Sequence, residues 1–470
     1  MSNHHKKIKK KSKKNKINST ELIIDNQNAT SFAGLAVARE MMLKLSMWRQ
    51  IMNDLPEKAR GHKRSSIVTG ALLGFLSGSS GVQLLEDIRN DQALCNHFEI
   101  SSLPTPKNFW EELAKLGKTE ILDIFNHILR ITAKKILEKT PVEQIQIENG
   151  FIPLFGDGTL LECSKGREGA KYIKGKGYGL MWSNWYIGPV LVGQHLCGKN
   201  EGEHSTLKNM IDDIVKDIIN SLGRKRDMLV LMDSLHGDNT VMHNLEQNNL
   251  YYIIGGNKLK AVKYKLKEIS VGLWRSVPAG QIEKGLREEK VCLSKIQCSG
   301  WDKPRYLICK QCTREGEVLP YKVGLFTNIP PKRLGLKSKH DVAYILKIFK
   351  LYSRKMGLEC CFKDSLIDLN GHRPPSKYLE QNRGYYATLS LAHNLGRAID
   401  LIANRKEREK KRKTGKKVYF RMRLGTLRRK MFALPGFITV SARKSTIRII
   451  GGGEANIQIF QNAWNEIKLC

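Results

Sequence analysis

The chain lacks an apolar run long enough to cross a membrane. A long uncharged stretch, residues 65–85, is interrupted by serines and glycines. The apolar part of that stretch, around residues 67–76, is far shorter than the ~20 residues that a membrane-spanning helix needs. No apolar segment follows the N-terminal lysines, so we predict no secretory signal. These absences argue against a membrane protein.

Acidic residues are scarce beside basic ones. The 470 residues include 80 Lys and Arg against 45 Asp and Glu, which gives a net charge of +35. Residues 1–16 carry eight lysines and no acid, and residues 405–430 carry fourteen Lys and Arg against two Glu. Such an excess predicts a polyanionic partner, either nucleic acid or an anionic membrane surface. Since the membrane signals are weak, we favour nucleic acid.

Cysteine is also sparse, with ten residues in no regular, dense spacing. This usage is typical of reduced thiols rather than of a disulfide framework. Cys309 and Cys312 form one CxxC pair, and Cys292 and Cys298 precede it. One such pair is a weak zinc signal. We therefore prefer ordinary reduced cysteines and keep a four-thiol zinc site as the alternative.

The apolar content is sufficient for several folded domains. Hydrophobic residues make up 41% of the chain, and 470 residues exceed what one simple core usually holds. Helical periodicity dominates residues 20–145, and strand–helix alternation follows, so we predict an α/β fold. The expected parts are a basic disordered tail (1–18), an N-terminal helical DNA-binding domain (19–147), a core in two pieces (148–257 and 336–404), a β-rich insertion between them (258–335) and a basic C-terminal segment with short strands (405–470).

The N-terminal helices have two interpretations. Several short helices with basic residues between them suit a helix-turn-helix-like module that contacts DNA. A plain helical bundle that contacts nothing gives the same pattern. The surrounding charge favours DNA contact.

Three carboxylates have a spacing that predicts a metal site. Asp157 closes a β-rich run, and Asp233 directly follows the apolar run 228–232. Glu359 continues an apolar stripe on a long predicted helix. Adjacent strand ends bring side chains close together, and two strand-borne acids with one helix-borne acid can hold a pair of divalent ions against a phosphodiester. Singly, each acid has an ordinary alternative as a turn, a helix cap or a surface residue.

The arrangement resembles the DDE transposases of bacterial insertion sequences, specifically the cut-and-paste group with a β-rich insertion between the second Asp and the Glu. The resemblance covers about residues 30–450. It is carried by Asp157 with Gly158 and Thr159, by Asp233 with Ser234, by Thr327 with Asn328, by Tyr352 and Glu359 of the Tyr-x2-Arg-x3-Glu signature, and by residues 385–397.

The signature has two departures. Lys355 stands at its Arg position, with Arg354 adjacent, and Leu366 stands at the Lys position seven residues after Glu359. Lys363 lies one helical turn after Glu359 instead.

The family resemblance implies specific roles. It implies a ribonuclease-H-like catalytic core in which Asp157, Asp233 and Glu359 are catalytic and bind two Mg²⁺ or Mn²⁺ ions. The candidate DNA contacts are Tyr352, Arg354, Lys355 and Lys363 near the signature, Trp274 and Trp301 in the insertion as possible holders of a flipped base, and Arg421 and Arg423 in the basic stretch. For the two tryptophans, ordinary core packing is the alternative.

The implied activity is metal-dependent cleavage at the ends of a mobile element, followed by joining of the freed 3′-hydroxyl to target DNA. The implied partners are double-stranded DNA, as terminal inverted repeats and target, and a second copy of the chain in a homodimer on paired ends. We expect a bacterial cytoplasmic protein associated with the nucleoid and with no membrane. Two alternatives stay open: a nuclease with the same core that only cuts, and a catalytically dead DNA-binding regulator of related elements.

Overall fold

A computed structural model describes residues 28–58, 60–199, 201, 203–223, 227–233, 239–414, 422–441 and 444–469. The predicted disordered tail (1–18) and the predicted DNA contact Arg421 lie outside these residues. Within the described chain, none of the helices is both long and apolar enough to cross a bilayer.

Helices precede and follow a β-rich middle. In chain order the helices are α1 (Ala36–Lys44), α2 (Met47–Asn53), α3 (Arg64–Ser77), α4 (Glu86–Asn90), α5 (Gln92–His97), α6 (Pro106–Leu116), α7 (Thr119–Lys139), α8 (Glu203–Ile214), α9 (Asn220–Leu222), α10 (Asn239–Gln247), α11 (Lys260–Glu268), α12 (Val342–Ser353), α13 (Gly357–Lys363), α14 (Leu379–Ala403), α15 (Arg405–Lys413), α16 (Leu424–Leu427) and α17 (Glu454–Leu469). The strands are β1 (Ala29–Thr30), β2 (Ile152–Glu162), β3 (Lys171–Ile173), β4 (Gly177–Ile187), β5 (Val190–Cys197), β6 (Met228–Met232), β7 (Tyr251–Gly255), β8 (Arg275–Ser276), β9 (Leu286–Ile296), β10 (Arg305–Arg314), β11 (Tyr321–Thr327), β12 (Gly436–Ser441) and β13 (Lys444–Ile449).

The described strands form a large mixed sheet and a small one. The order in the large sheet is β3-β4-β2-β6-β7-β11-β10-β9-β8, and β5 pairs with β4. β2, β6 and β7 are parallel to one another, whereas the other pairs are antiparallel. The small sheet joins β1, β12 and β13. Strands β9, β10 and β11 of the predicted insertion thus continue the sheet of the core, because β11 pairs with β7.

The central position of β6 in the large sheet agrees with its amino-acid sequence. All five residues of β6 are buried, as its uninterrupted apolar run predicts for a strand covered on both faces. Apolar residues recur at helical spacing over residues 207–222, and the structure forms α8 and α9 there, joined by the π-helical turn Val215–Ile219. The pattern did not predict that turn.

Helix α14 is the centre of the helical layer. It is buried along almost its whole length and packs against α3, α6, α7 and α17. Two glycines permit the closest approach: a Cβ on Gly384 would lie 2.4 Å from the Leu113 carbonyl oxygen, and one on Gly117 would collide with the Glu380 backbone. The N-terminal helices therefore rest directly on a helix of the predicted catalytic core.

Helix α3 is buried from Ser65 to Leu76. Because it has no free face over that length, it cannot enter a DNA groove. Any DNA contact by the N-terminal helices must therefore be made by helices other than α3.

A buried ionic network ties three chain segments together. Arg397 of α14 lies 3.5 Å from Asp364 and 3.2 Å from Asp400, and all three side chains are at most 1% exposed. Arg397 also donates to the Met422 carbonyl oxygen at 2.8 Å. The network therefore links the turn after α13, helix α14 and the C-terminal segment. Breaking a buried pair is costly because it leaves an uncompensated charge in the interior.

We expect Arg397→Ala to destabilise the protein by about 3–5 kcal/mol, since Asp364 and Asp400 would remain buried without their cation. Urea unfolding followed by circular dichroism measures the change. The matched control is Arg405→Ala, whose pair with Glu409 is nearly half exposed on both sides and should add little stability. Equal unfolding midpoints for the two variants would contradict the structural role of the network.

Candidate active site

Two of the predicted acids lie side by side on neighbouring parallel strands. The β2–β6 pairing aligns Gly156 with Met232, so Asp157 and Asp233 are the next residues on each chain. Their side chains are 26% and 22% exposed. The expectation that the strand ends at Asp157 is wrong, because β2 continues to Glu162 in antiparallel pairing with β4. Asp157 reaches the edge of the site because β6, its neighbour, stops there.

Each aspartate carboxylate accepts a hydrogen bond from a lysine side chain. Lys355 Nζ donates to Asp157 Oδ2 at 2.8 Å, and Lys258 Nζ donates to Asp233 Oδ2 at 3.2 Å. The two ammonium groups neutralise carboxylates that would otherwise repel each other. They also show that both oxygens are oriented to receive a cation.

Lys258 was not predicted from the sequence. Parallel pairing of β6 with β7 aligns Met232 with Ile254, so the loop after β7 emerges beside Asp233. The signal for Lys258 in the sequence is its position three residues after β7, the third parallel strand, whose end lies at the same edge of the sheet.

Tyr352 fastens the end of α12 to the end of β6. Its hydroxyl donates to the Met232 carbonyl oxygen at 3.2 Å. Burial raises the pKa of Tyr352 to about 12, and the negative charges of Asp233 and Asp157 add to that shift. The side chain is therefore neutral at physiological pH and lies close to both acids. The structure thus places this predicted DNA contact inside the acidic site.

Glu359 does not join Asp157 and Asp233 in a cluster with ligand atoms within 4.8 Å of one another. The predicted continuous helix is wrong at this point: α12 ends at Ser353, the 3₁₀ turn Arg354–Met356 follows, and α13 begins at Gly357. A 3₁₀ helix has 3.0 residues per turn rather than 3.6. Residues after this turn therefore no longer lie on the same face as the apolar stripe of α12. Met356 is 69% exposed, and Glu359 also faces solvent. Its predicted catalytic role stays a prediction.

Among the described His, Cys, Asp and Glu side chains, one group brings three ligand atoms within 4.8 Å of one another. It consists of His243, Glu246 and Asp302. This group could hold a metal ion, but it already has cationic partners. Lys303 lies 2.8 Å from Glu246, and Arg305 lies 2.9 Å from Asp302. Burial raises the pKa of Glu246, but hydrogen bonds led by that from Lys303 outweigh burial and lower the pKa below its usual value. Glu246 also links α10 to β10 through its ion pair with Arg305.

The other predicted DNA contacts near the signature and in the basic stretch differ in their surroundings. Arg354 forms an ion pair with Glu148, and Lys363 is exposed on α13. Arg423 is half exposed and donates to Asp368 at 2.7 Å. Of the three, Lys363 is the most accessible to a phosphate.

The two candidate base-holding tryptophans are both partly buried. Lys322 lies over the ring of Trp274 at 5.2 Å, and Arg305 lies over the ring of Trp301 at 5.3 Å. Phe326 meets the Trp301 ring edge to face. These contacts support the packing alternative, since a stacked base would have to displace a cation from either ring.

The cysteines support the reduced-thiol interpretation. Cys292 and Cys309 face each other across β9 and β10, whereas Cys312 is paired with Glu289 and Tyr321. All four candidate thiols lie in the described part of the chain, and they are free. They do not bring three sulfur atoms within 4.8 Å of one another. The zinc alternative is therefore not supported.

Comparison with known proteins gives one family match. The family model described as Transposase DDE domain group 1 matches residues 13–468. The curated proteins give no match. Among solved structures, the piggyBac transposase synaptic complex with hairpin DNA is similar, with a TM-score of 0.41 and 11% identity over 86% of this chain and 81% of that chain.

A divalent cation that binds between the two aspartates must compete with the lysine ammonium groups. We therefore expect Lys258→Gln to bind Mn²⁺ up to about fivefold more tightly than the unmodified protein, a limit set by the ~1 kcal/mol that a partly exposed ion pair contributes. Isothermal titration of metal-free protein measures the affinity. Lys350→Gln, at an exposed position of α12, is the control. Unchanged or weaker Mn²⁺ binding in Lys258→Gln would show that the ammonium does not compete.

Proposed function

Because the chain belongs to the transposase DDE domain group 1 family, we propose that it is a DNA transposase that cuts the ends of its mobile element and joins them to target DNA. The observation that carries this proposal is the pair Asp157 and Asp233 at adjoining parallel strands, each already bound to a cationic side chain. The net charge of +35 supports DNA as the substrate.

We propose that Asp157 and Asp233 hold two Mg²⁺ or Mn²⁺ ions and that Glu359 completes the set. The aspartates fit such ions: their oxygens are hard donors, they already attract ammonium cations, and their partial exposure leaves space for water ligands. When bound, such a pair activates the attacking oxygen and stabilises the leaving oxygen of a phosphodiester. Glu359 is supported by its signature spacing.

The residues around the acids have roles that follow from their contacts. With metal ions held by the aspartates, the Lys355 and Lys258 ammonium groups would be available to bind DNA phosphates. Tyr352 keeps α12 in place against β6 through its bond to the Met232 carbonyl oxygen. Lys363, one turn after Glu359, extends the positive surface along α13.

The wider assignment rests on the family resemblance and on charge. The order β5-β4-β2-β6-β7 supports a ribonuclease-H-like core because it places both aspartates on the central parallel pair. We propose terminal inverted repeats and target DNA as the substrates, a homodimer on paired ends as the working assembly, and the bacterial nucleoid as the location. The basic stretch 405–430 would add contacts to the DNA backbone.

We expect Asp157→Asn and Asp233→Asn each to reduce cleavage of element-end DNA by about a thousandfold or more, equivalent to roughly 4 kcal/mol of transition-state stabilisation. DNA binding should persist, because neither change removes a positive charge. Cleavage of labelled end DNA with Mg²⁺ and a parallel gel-shift measure the two properties. Glu138→Gln on α7, in a partly exposed ion pair with Lys134, is the control. Full cleavage by both Asn variants would refute the catalytic assignment.

A plasmid integration assay separates the proposed transposase from its two alternatives. We expect the unmodified chain to insert pre-cleaved end DNA into a supercoiled plasmid, because the same site can use a 3′-hydroxyl in place of water. Cleavage without insertion would identify a nuclease that only cuts. Binding with neither reaction would identify a dead regulator, as the departures at Lys355 and Leu366 allow.

A further inference from the structure

Helix α11 displays a basic face that neither the signature nor the predicted DNA contacts include. Val262 and Leu266 are buried, and the helix packs against β11. Lys260, Lys263 and Lys267 are exposed on a face about a third of a turn away from the buried one. At 3.6 residues per turn these three positions fall within an arc of about 60°. The helix is thus amphipathic, with its polar face formed mainly by lysines.

The ends of this helix are fixed to the sheet. Gly256 N donates to the Gly324 carbonyl oxygen at 2.8 Å, and Gly324 N donates to the Asn257 side chain at 2.8 Å. Lys322 Nζ donates to the Leu266 carbonyl oxygen at 2.8 Å, which caps the last turn. The lysine face is therefore held in a defined orientation rather than on a loose loop.

The face begins at the acidic site. Lys258, two residues before the helix, reaches Asp233 at 3.2 Å. From Lys260 to Lys267 the helix rises about 10 Å, on the order of three phosphates of one DNA strand at 3.4 Å each. Lys260, Lys263 and Lys267 have no ion pair with a carboxylate among the residues that the structure describes.

Lysine is a flexible point charge that reads no base. A row of lysines leading away from a phosphodiester-cutting site therefore suits the DNA backbone and not a base sequence. Exposed Tyr264 lies beside Lys260, about 40° outside the lysine arc, and adds an apolar contact for the sugar edge.

We propose that Lys258, Lys260, Lys263 and Lys267 form a phosphate-binding face that guides duplex DNA into the site at Asp233, independently of base sequence. This proposal rests on the proposed function, because it takes Asp233 to mark the reacting phosphodiester.

The test is the salt dependence of DNA binding. The dissociation constant of a fluorescein-labelled duplex of about 30 base pairs and arbitrary sequence is measured by anisotropy in EDTA over a range of NaCl concentrations. Each lysine–phosphate contact contributes about 0.9 to the slope of log K against log salt. The variant Lys260→Gln, Lys263→Gln, Lys267→Gln should therefore have a slope shallower by about 2.7. Circular dichroism confirms that it is folded.

Lys265→Gln is the matched control, since Lys265 is on the same helix but is half-buried and acts electrostatically on Cys292 and Cys309 of the sheet. Its slope should equal that of the unmodified protein. An unchanged slope in the triple variant, or an equal loss per lysine in Lys265→Gln, would overturn the phosphate-binding face. Mg²⁺-dependent cleavage by the unmodified chain, and its loss in Asp157→Asn, report separately on the proposed function.

Discussion

The site depends on the parallel pairing of β2 with β6. The register of that pairing, Gly156 opposite Met232, is what brings two aspartates from distant parts of the chain into one place. Backbone hydrogen bonds between buried strands fix this register, and a slip by one residue would turn one carboxylate to the other face of the sheet. The chemistry that we propose therefore depends on an arrangement made by the backbone and the apolar residues of β6.

Placing two carboxylates together creates an electrostatic problem, and the surrounding residues solve it. Two lysines neutralise the acids in the absence of metal, and a partly buried tyrosine, whose pKa is raised further above neutrality, lies beside them. The same lysines are well placed for phosphate once the acids have other counterions. The site thus has a consistent charge balance with or without metal.

Much of this arrangement could be predicted from the sequence, and the failures have physical causes. The apolar run of β6 identified a central strand, and strand-end reasoning placed Asp233 correctly. Glu359 was assigned to a continuous helix because periodicity cannot show a 3₁₀ turn, which differs from an α-helix by a fraction of a residue per turn. Helix α11 was missed because five of its nine residues are Lys or Glu, which leaves Val262 and Leu266 as a short apolar signal. Helix α17 was missed although Phe460, Ala463 and Ile467, at helical spacing, form its buried face.

The pairing of β11 with β7 has a consequence for how this chain can be shortened. The inserted strands β8 to β11 complete the hydrogen bonding along one side of the core. Their excision would expose the backbone amides and carbonyls of β7, an apolar strand that contains Ile253 and Ile254. An exposed strand edge of this kind pairs with strands of other molecules and promotes aggregation. The inserted strands thus protect the solubility of the core, apart from any contact that they make with DNA.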